Sequence, residues 1–165
     1  MKISIASDHA GFEQKQQLAA YLKGEGHEVI DRGPDSDNRV DYPDFAVKVG
    51  EDVQSGAAER GVLVCGTGIG MAMAVGKMEG IRAANVVRRD FAVLCREHND
   101  ANVITLSGRF VSLEDNESIL DAFIATEFAG GRHAGRPQRH PRPLPQHGAD
   151  GGGCAAVCKH LTARG

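Results

Sequence analysis

The reactive side chains of this chain crowd around a run of alternating glycines. Cys65 precedes Gly66, Gly68 and Gly70, with Thr67 and Ile69 between them. Glycine lets the backbone approach a ligand closely, and free N–H groups at a helix start attract anions. A helix start also favours thiolate over thiol, which makes Cys65 a candidate base or nucleophile. The plain alternative is a small buried cysteine at a strand end. The dinucleotide fingerprint G-x-G-x-x-G needs glycine at position 71, as does the Walker pattern, and the chain has Met71 there. The run therefore suits a small anion or a developing oxyanion, or it is a tight turn with glycine for packing alone.

Other candidates lie at the ends of apolar runs. Asp8 and His9 close the first run, as ligands for hydroxyls or anions, or with Asp8 capping the next helix. Glu97-His98-Asn99-Asp100 sits just before the last strand-like run and Ser107-Gly108-Arg109 just after it. Arg132 and Arg136 stand four apart behind Gly130-Gly131; on a helix they share a face and can clamp a phosphate, and otherwise they are surface arginines. Cys95 has no such context and fits a helix face. Cys154, Cys158 and His160 do not have a zinc spacing, and no second ligand pair accompanies them.

The elements that must position these groups alternate between two textures. Ile3–Ala6, His27–Ile30, Gly61–Cys65, Ala83–Val87 and Asn102–Leu106 are short strand-like runs. Between them lie helical periods: Phe12, Lys15, Ala19 and Leu22, with Lys15 lying along the face by its stem; Phe45, Ala46, Val49 and Val53; Met71, Val75 and Met78; and Ile119, Leu120, Phe123, Ile124 and Phe128. This alternation predicts repeated βαβ units: a three-layer α/β/α domain with a five-stranded parallel sheet covered on both faces. In such sheets ligands bind at the carboxyl ends of the strands. The reading gathers a carboxylate, a thiol, two histidines, the glycine loop and an arginine at one edge.

The texture changes after Arg136. Pro137, Pro141, Pro143 and Pro145 are followed by Gly151-Gly152-Gly153, a linker composition. The division expected is a domain over 1–136 and an atypical tail over 137–165. Cys154, Val157, Cys158 and Leu161 are spaced for a short helix that could dock.

Composition bounds the function. The chain has 165 residues, 41% hydrophobic and 25% charged, which excludes a fully disordered protein. A net charge of −3 lacks the footprint of a general nucleic-acid binder. No run of 18 apolar residues offers a membrane span. Four irregularly spaced cysteines make no disulfide framework and fit a reduced, cytoplasmic setting.

Six motifs taken together resemble one family. They are Asp8-His9-Ala10-Gly11, Asp41-Tyr42-Pro43, Cys65-Gly66-Thr67-Gly68-Ile69-Gly70, Gly80-Ile81-Arg82-Ala83, His98-Asn99-Asp100-Ala101-Asn102-Val103 and Gly130-Gly131-Arg132-His133. In order and spacing, over residues 1–136, they resemble the type B ribose-5-phosphate isomerases, whose relatives act on allose or galactose 6-phosphate. The resemblance implies an aldose–ketose isomerase on a Rossmann-like sheet, without metal or cofactor, working as a homodimer or tetramer. It implies Cys65 as the base between C1 and C2 and Thr67 as its assistant, with Gly66, Gly68, Ile69 and Gly70 as the enediolate loop. It implies His98 for ring opening, Asp8, Tyr42 and Asn99 for hydroxyls, and His9, Arg109, Arg132 and Arg136 for phosphate. His98, Asn99, Arg132 and Arg136 would come from the partner subunit. The family's glutamate-using branch is not matched, because Met71 stands at that position. Pro137 departs from the family and draws Arg136 towards extended backbone. A six-carbon specificity, or a binding protein without turnover, are the alternatives.

Overall fold

Residues 1–135 are described by the computed structural model. Strands β1 (Lys2–Ser7), β2 (Glu28–Asp31), β3 (Arg60–Cys65), β4 (Ala83–Asn85) and β5 (Val103–Ser107) alternate with helices α1 (Phe12–Gly24), α2 (Tyr42–Gln54), α3 (Ile69–Val75), α4 (Arg89–Asn99) and α5 (Leu113–Ala125). The strands pair only in parallel, in the order β2-β1-β3-β5-β4. A 3-10 turn, Gly131–His133, follows α5. This is the predicted α/β class.

The central strands are buried on both faces, so they read as nearly continuous apolar runs. Side chains along β3 alternate between two cores. Val62 and Val64 join Ile3, Ile5, Leu18, Ile104, Ile119 and Phe123, under α1, α4 and α5. Leu63 and Cys65 join Ala46, Val49, Met71 and Val75, under α2 and α3.

Details differ from the sequence reading. β2 begins at Glu28 and β4 ends at Asn85, shorter than the apolar run to Val87. Leu18 joins the buried face of α1, while Phe12 is only partly buried. Met78 and Phe128 lie beyond the ends of α3 and α5. The whole Lys15 side chain is buried, not just its stem. Its Nζ donates to both Asp31 oxygens at 2.8 Å and to Pro34 O at 3.1 Å, so three donors meet three acceptors and the charge tolerates burial.

Helix α4 escaped the apolar spacing altogether. Its inward face carries Ala92 and Arg96. Arg96 is 1% exposed and donates through Nη1 to Asp100 Oδ1 (2.7 Å) and Ala101 O (2.6 Å), and through Nε to Thr126 O (3.2 Å). A buried, paired arginine reads as solvent surface in any apolar count. The expected boundary at 136–137 and the 154–161 stripe lie outside the described residues.

Candidate active site

From β1 the chain crosses outward to β2, then returns to β3 on the other side of β1. At such a switch point the loops leaving the two carboxyl ends diverge and open a crevice. The β1–α1 turn holds Asp8 and His9; the β3–α3 loop holds Cys65 to Gly70.

Asp8 is 8% exposed, and its Oδ1 accepts from Ala10 N (2.8 Å) and Gly11 N (3.0 Å). It therefore braces its own turn with one oxygen, and the N-cap position of α1 falls to Gly11 rather than Asp8. A methyl on Gly11 would stand 2.5 Å from Val64 O, so only glycine lets this turn press on β3. The Nδ1 of His9 is buried without a partner. His9 lines a hollow of ≈ 520 Å³ with Phe12, Glu13 and Asp37.

Cys65 is 5% exposed, and its Sγ accepts from the Gly68 N–H at 3.1 Å. That contact needs the loop to fold back on itself, which it does through Gly68 at φ +80°. Thr67 Oγ1 accepts from Ile69 N at 3.3 Å. The Tyr42 ring, at the start of α2, lies against Gly70: a methyl there would sit 3.1 Å from Cζ. On the far rim Gly108 N donates to Cys65 O (2.8 Å), Ser107 Oγ to Gly66 O (2.8 Å) and Arg109 N to Gly66 O (3.3 Å). A methyl on Gly66 would stand 3.5 Å from Arg109 Cδ, so that side chain leans over the loop.

Asn85 closes β4 and carries no sequence motif. Its Nδ2 donates to Thr105 Oγ1 (3.0 Å) and Thr67 O (3.2 Å), tying the glycine loop to the sheet. A lone asparagine in a strand carries no sequence signal for this.

The single-edge reading is corrected for His98 and Asn99. They close α4, and the residues that follow start β5, so they lie at the amino ends of the strands. Arg82, just before β4, donates to Asp100 O (2.6 Å) and Asp100 Oδ2 (2.8 Å), fixing that end. The length of β3, roughly 16 Å at ~3.3 Å per residue, separates them from Cys65. Arg132 belongs to the same end. The His133 ring stacks on His98 at 4.5 Å and 14°, and Arg132 Nε donates to His133 Nε2 at 3.0 Å. His133, quoted only as part of a motif, is buried and seats this group. Arg136 lies outside the described residues.

Cys95 stays off both groups; burial pushes its thiol up to about 11, and it donates to Ala92 O (3.2 Å). No group of His, Cys, Asp or Glu able to hold a metal occurs among the described residues. No helix among them is long and apolar enough to cross a membrane. A hollow of ≈ 790 Å³ between α4 and α5, lined by Arg88, Leu94 and Asp115, holds none of the candidate residues.

The chain is an α/β protein with a thiol and a glycine loop at the switch point of its parallel sheet. The chain belongs to the ribose/galactose isomerase family: the model described as Ribose/Galactose Isomerase matches residues 3–139. Ribose-5-phosphate isomerase B of Escherichia coli K12 is 42% identical over 135 residues, covering 82% of this chain and 91% of that protein. The ribose-5-phosphate isomerase B structure from Clostridium thermocellum is 48% identical with a TM-score of 0.82, covering 83% of this chain and 93% of that one. The Mycoplasma genitalium ribose-5-phosphate isomerase B, solved with bound ribulose-5-phosphate, is 44% identical with a TM-score of 0.78, covering 81% and 89%.

Proposed function

We propose that this protein interconverts ribose 5-phosphate and ribulose 5-phosphate, by proton transfer at Cys65 through an enediolate. Family membership supports the reaction, and one observation supports the mechanism: Cys65 Sγ lies under a backbone donor in a glycine loop. Cys65 takes the proton from C2 of the open aldose and returns it to C1, while a proton passes from O2 to O1. Negative charge grows on the substrate oxygens in between, where N–H groups of the Gly66 to Gly70 loop stabilise it. Thr67 assists from the same loop. Asp8 and Tyr42 hold hydroxyls, and His9 and Arg109 the phosphate; the unpartnered His9 Nδ1 favours that role.

Ring opening by His98, hydroxyl binding by Asn99, and phosphate binding by Arg132 and Arg136 require a second copy of the chain. Within one chain the first three lie at the wrong end of the sheet. A homodimer that shares its sites brings the two groups together. Exposed Ile69 and Met73 on α3, and Val87, Phe91 and Leu94 at and along α4, supply apolar surface for it beside the short edge strand β4. A tetramer would be a pair of such dimers. The reaction serves carbohydrate metabolism in the pentose phosphate pathway of the cytoplasm.

The test is an isomerase assay on purified protein with ribose 5-phosphate, allose 6-phosphate and galactose 6-phosphate side by side. Preference for the pentose is expected. Preference for a hexose overturns the specificity, and no turnover of any of the three overturns the catalytic reading.

A further inference from the structure

A polar network away from the glycine loop ends on the backbone that carries Arg109. Asn116 on α5 is 0% exposed, and its Nδ2 donates to Ser107 O (3.0 Å) and to Gln14 Oε1 on α1 (2.7 Å). Gln14 Nε2 donates in turn to Gly108 O (3.2 Å) and Val111 O (2.9 Å). Two amides thus hold three carbonyls of the 107–111 loop, from two residues before Arg109 to two after it. The loop's own bonds complete the frame: Ser107 Oγ accepts from Phe110 N (3.0 Å) and donates to Gly66 O (2.8 Å). Gly108 packs so closely on Ala10 and Gly11 that a methyl there would stand 3.1 Å from Gly11 Cα.

The network is not what packing alone would select. Both α1 and α5 bury apolar faces in this core, yet their first turns meet through two buried or half-buried amides, and Asn116 Oδ1 is left buried without a partner. An orphaned acceptor costs stability that an apolar side chain would not. What the amides supply is an orientation: the carbonyls of 107, 108 and 111 have fixed donors, so the chain between them has little freedom.

We propose that Gln14 and Asn116 are positioning residues for Arg109, setting its guanidinium over Gly66 and so fixing where the anionic end of the substrate lies relative to Cys65. This deepens the isomerase reading above and rests on the phosphate role of Arg109. A residue acting this way contributes to binding in ground and transition states alike, so its loss raises KM more than it lowers kcat.

The experiment compares Asn116→Ala, Gln14→Leu, Arg109→Ala and the double variant Asn116→Ala with Arg109→Ala. It measures KM for ribose 5-phosphate, the inhibition constant of inorganic phosphate, and the rise in melting temperature that inorganic phosphate confers. About a tenfold rise in KM and in the phosphate constant is expected for each amide variant, the scale of one or two lost hydrogen bonds. With Arg109 already removed, Asn116→Ala should add little, because the two act through one contact. An effect of Asn116→Ala that adds in full to Arg109→Ala overturns the proposal. So does an unchanged KM in the amide variants while Arg109→Ala raises it. An unchanged KM in Arg109→Ala overturns the phosphate role of Arg109 and this proposal with it. If the wild type turns over none of the sugars, the isomerase reading fails, and phosphate protection against melting still decides the positioning role. Should Asn116→Ala fold poorly, Gln14→Leu, which keeps side-chain volume, gives the same comparison.

Discussion

Gly68→Ala is the sharpest test of how the glycine loop is held. Gly68 has φ +80° and caps α3, and its N–H is the donor to Cys65 Sγ. An added methyl meets two obstacles. The first is conformational: an L-residue in the left-handed region costs roughly 1–2 kcal/mol. The second is spatial: the methyl collides with Asn85 Nδ2 and stands 3.1 Å from Leu106 C and O. The Asn85 amide is the movable obstacle, but moving it breaks its bonds to Thr105 Oγ1 and Thr67 O, each worth about 1 kcal/mol net. The total destabilisation is about 3–4 kcal/mol, and kcat should fall about tenfold as the donor leaves sulfur, the scale of one lost hydrogen bond. Urea unfolding of Gly68→Ala, Asn85→Ala and the double variant measures it. Because the single changes lose the same two bonds, the double variant should be less destabilised than the sum of the singles, by ~1–2 kcal/mol. Gly68→Ala unfolding within ~0.5 kcal/mol of wild type, the scatter of an ordinary surface change, would refute the account of the loop.

Cys65→Ala should lower kcat by at least ~10²-fold, the low end for losing a general base, with circular dichroism unchanged; near-normal activity would remove Cys65 from the chemistry. Mixing inactive Cys65→Ala with inactive His98→Ala under subunit exchange should restore part of the activity, since one kind of site in the mixed dimer is intact. No recovery, with mixed dimers demonstrated by native mass spectrometry, would rule out sites built from two chains. The Arg32 guanidinium, with Ser4 Oγ donating at 2.6 Å, holds the Asp52 carboxyl below its ordinary range. A carboxylate lowered in the folded state contributes stability above its unfolded pKa, about 3.9, that is lost as pH falls through the folded value. The stability gap between wild type and Asp52→Asn should therefore be wide at pH 7 and shrink below pH ~4; a gap of equal size at both ends would refute the pairing.

The legible parts of the sequence were those where local pattern and position agree. Cys65, Asp8 and Arg109 follow strand-like runs, and βαβ alternation is enough to send them to the carboxyl edge. Strand order leaves no local trace, because β3 pairs with β5, some forty residues on, while the intervening β4 goes to the outer edge. Closeness to the fifth strand does not give the side of His98 and Asn99, because a residue before a strand and one after it lie at opposite ends. Their motif told the family, and only the fold told their side. Asn85, Gln14 and Asn116 carry no signal at all, since each is a single amide whose partners are backbone carbonyls, a threonine hydroxyl or another amide.

The division of candidate residues between the two ends explains why so much polar bonding is invested in the sheet's margins. At the carboxyl edge, three loops are bound through backbone groups: Asp8 N to Val64 O, Gly108 N to Cys65 O and Arg109 N to Gly66 O. At the amino edge, Asp100 adopts φ +48° and is gripped by Arg82 on one side and Arg96 on the other. That turn ends α4 directly behind His98 and Asn99, and the Ala129 N bond to Glu97 O seats Arg132 and His133 against it. A site divided between two chains works only if each half arrives already shaped, because the interface can orient two rigid halves but cannot order two loose ones without losing binding energy to entropy. On the shared-site proposal, disturbing Asp100 should therefore weaken the His98 half of the site without touching the Cys65 half. In the mixing experiment, adding Asp100→Ala to the Cys65→Ala chain should impair its rescue of His98→Ala, whereas an Asp100→Ala chain with Cys65 intact should still be activated by the His98 half of a Cys65→Ala partner.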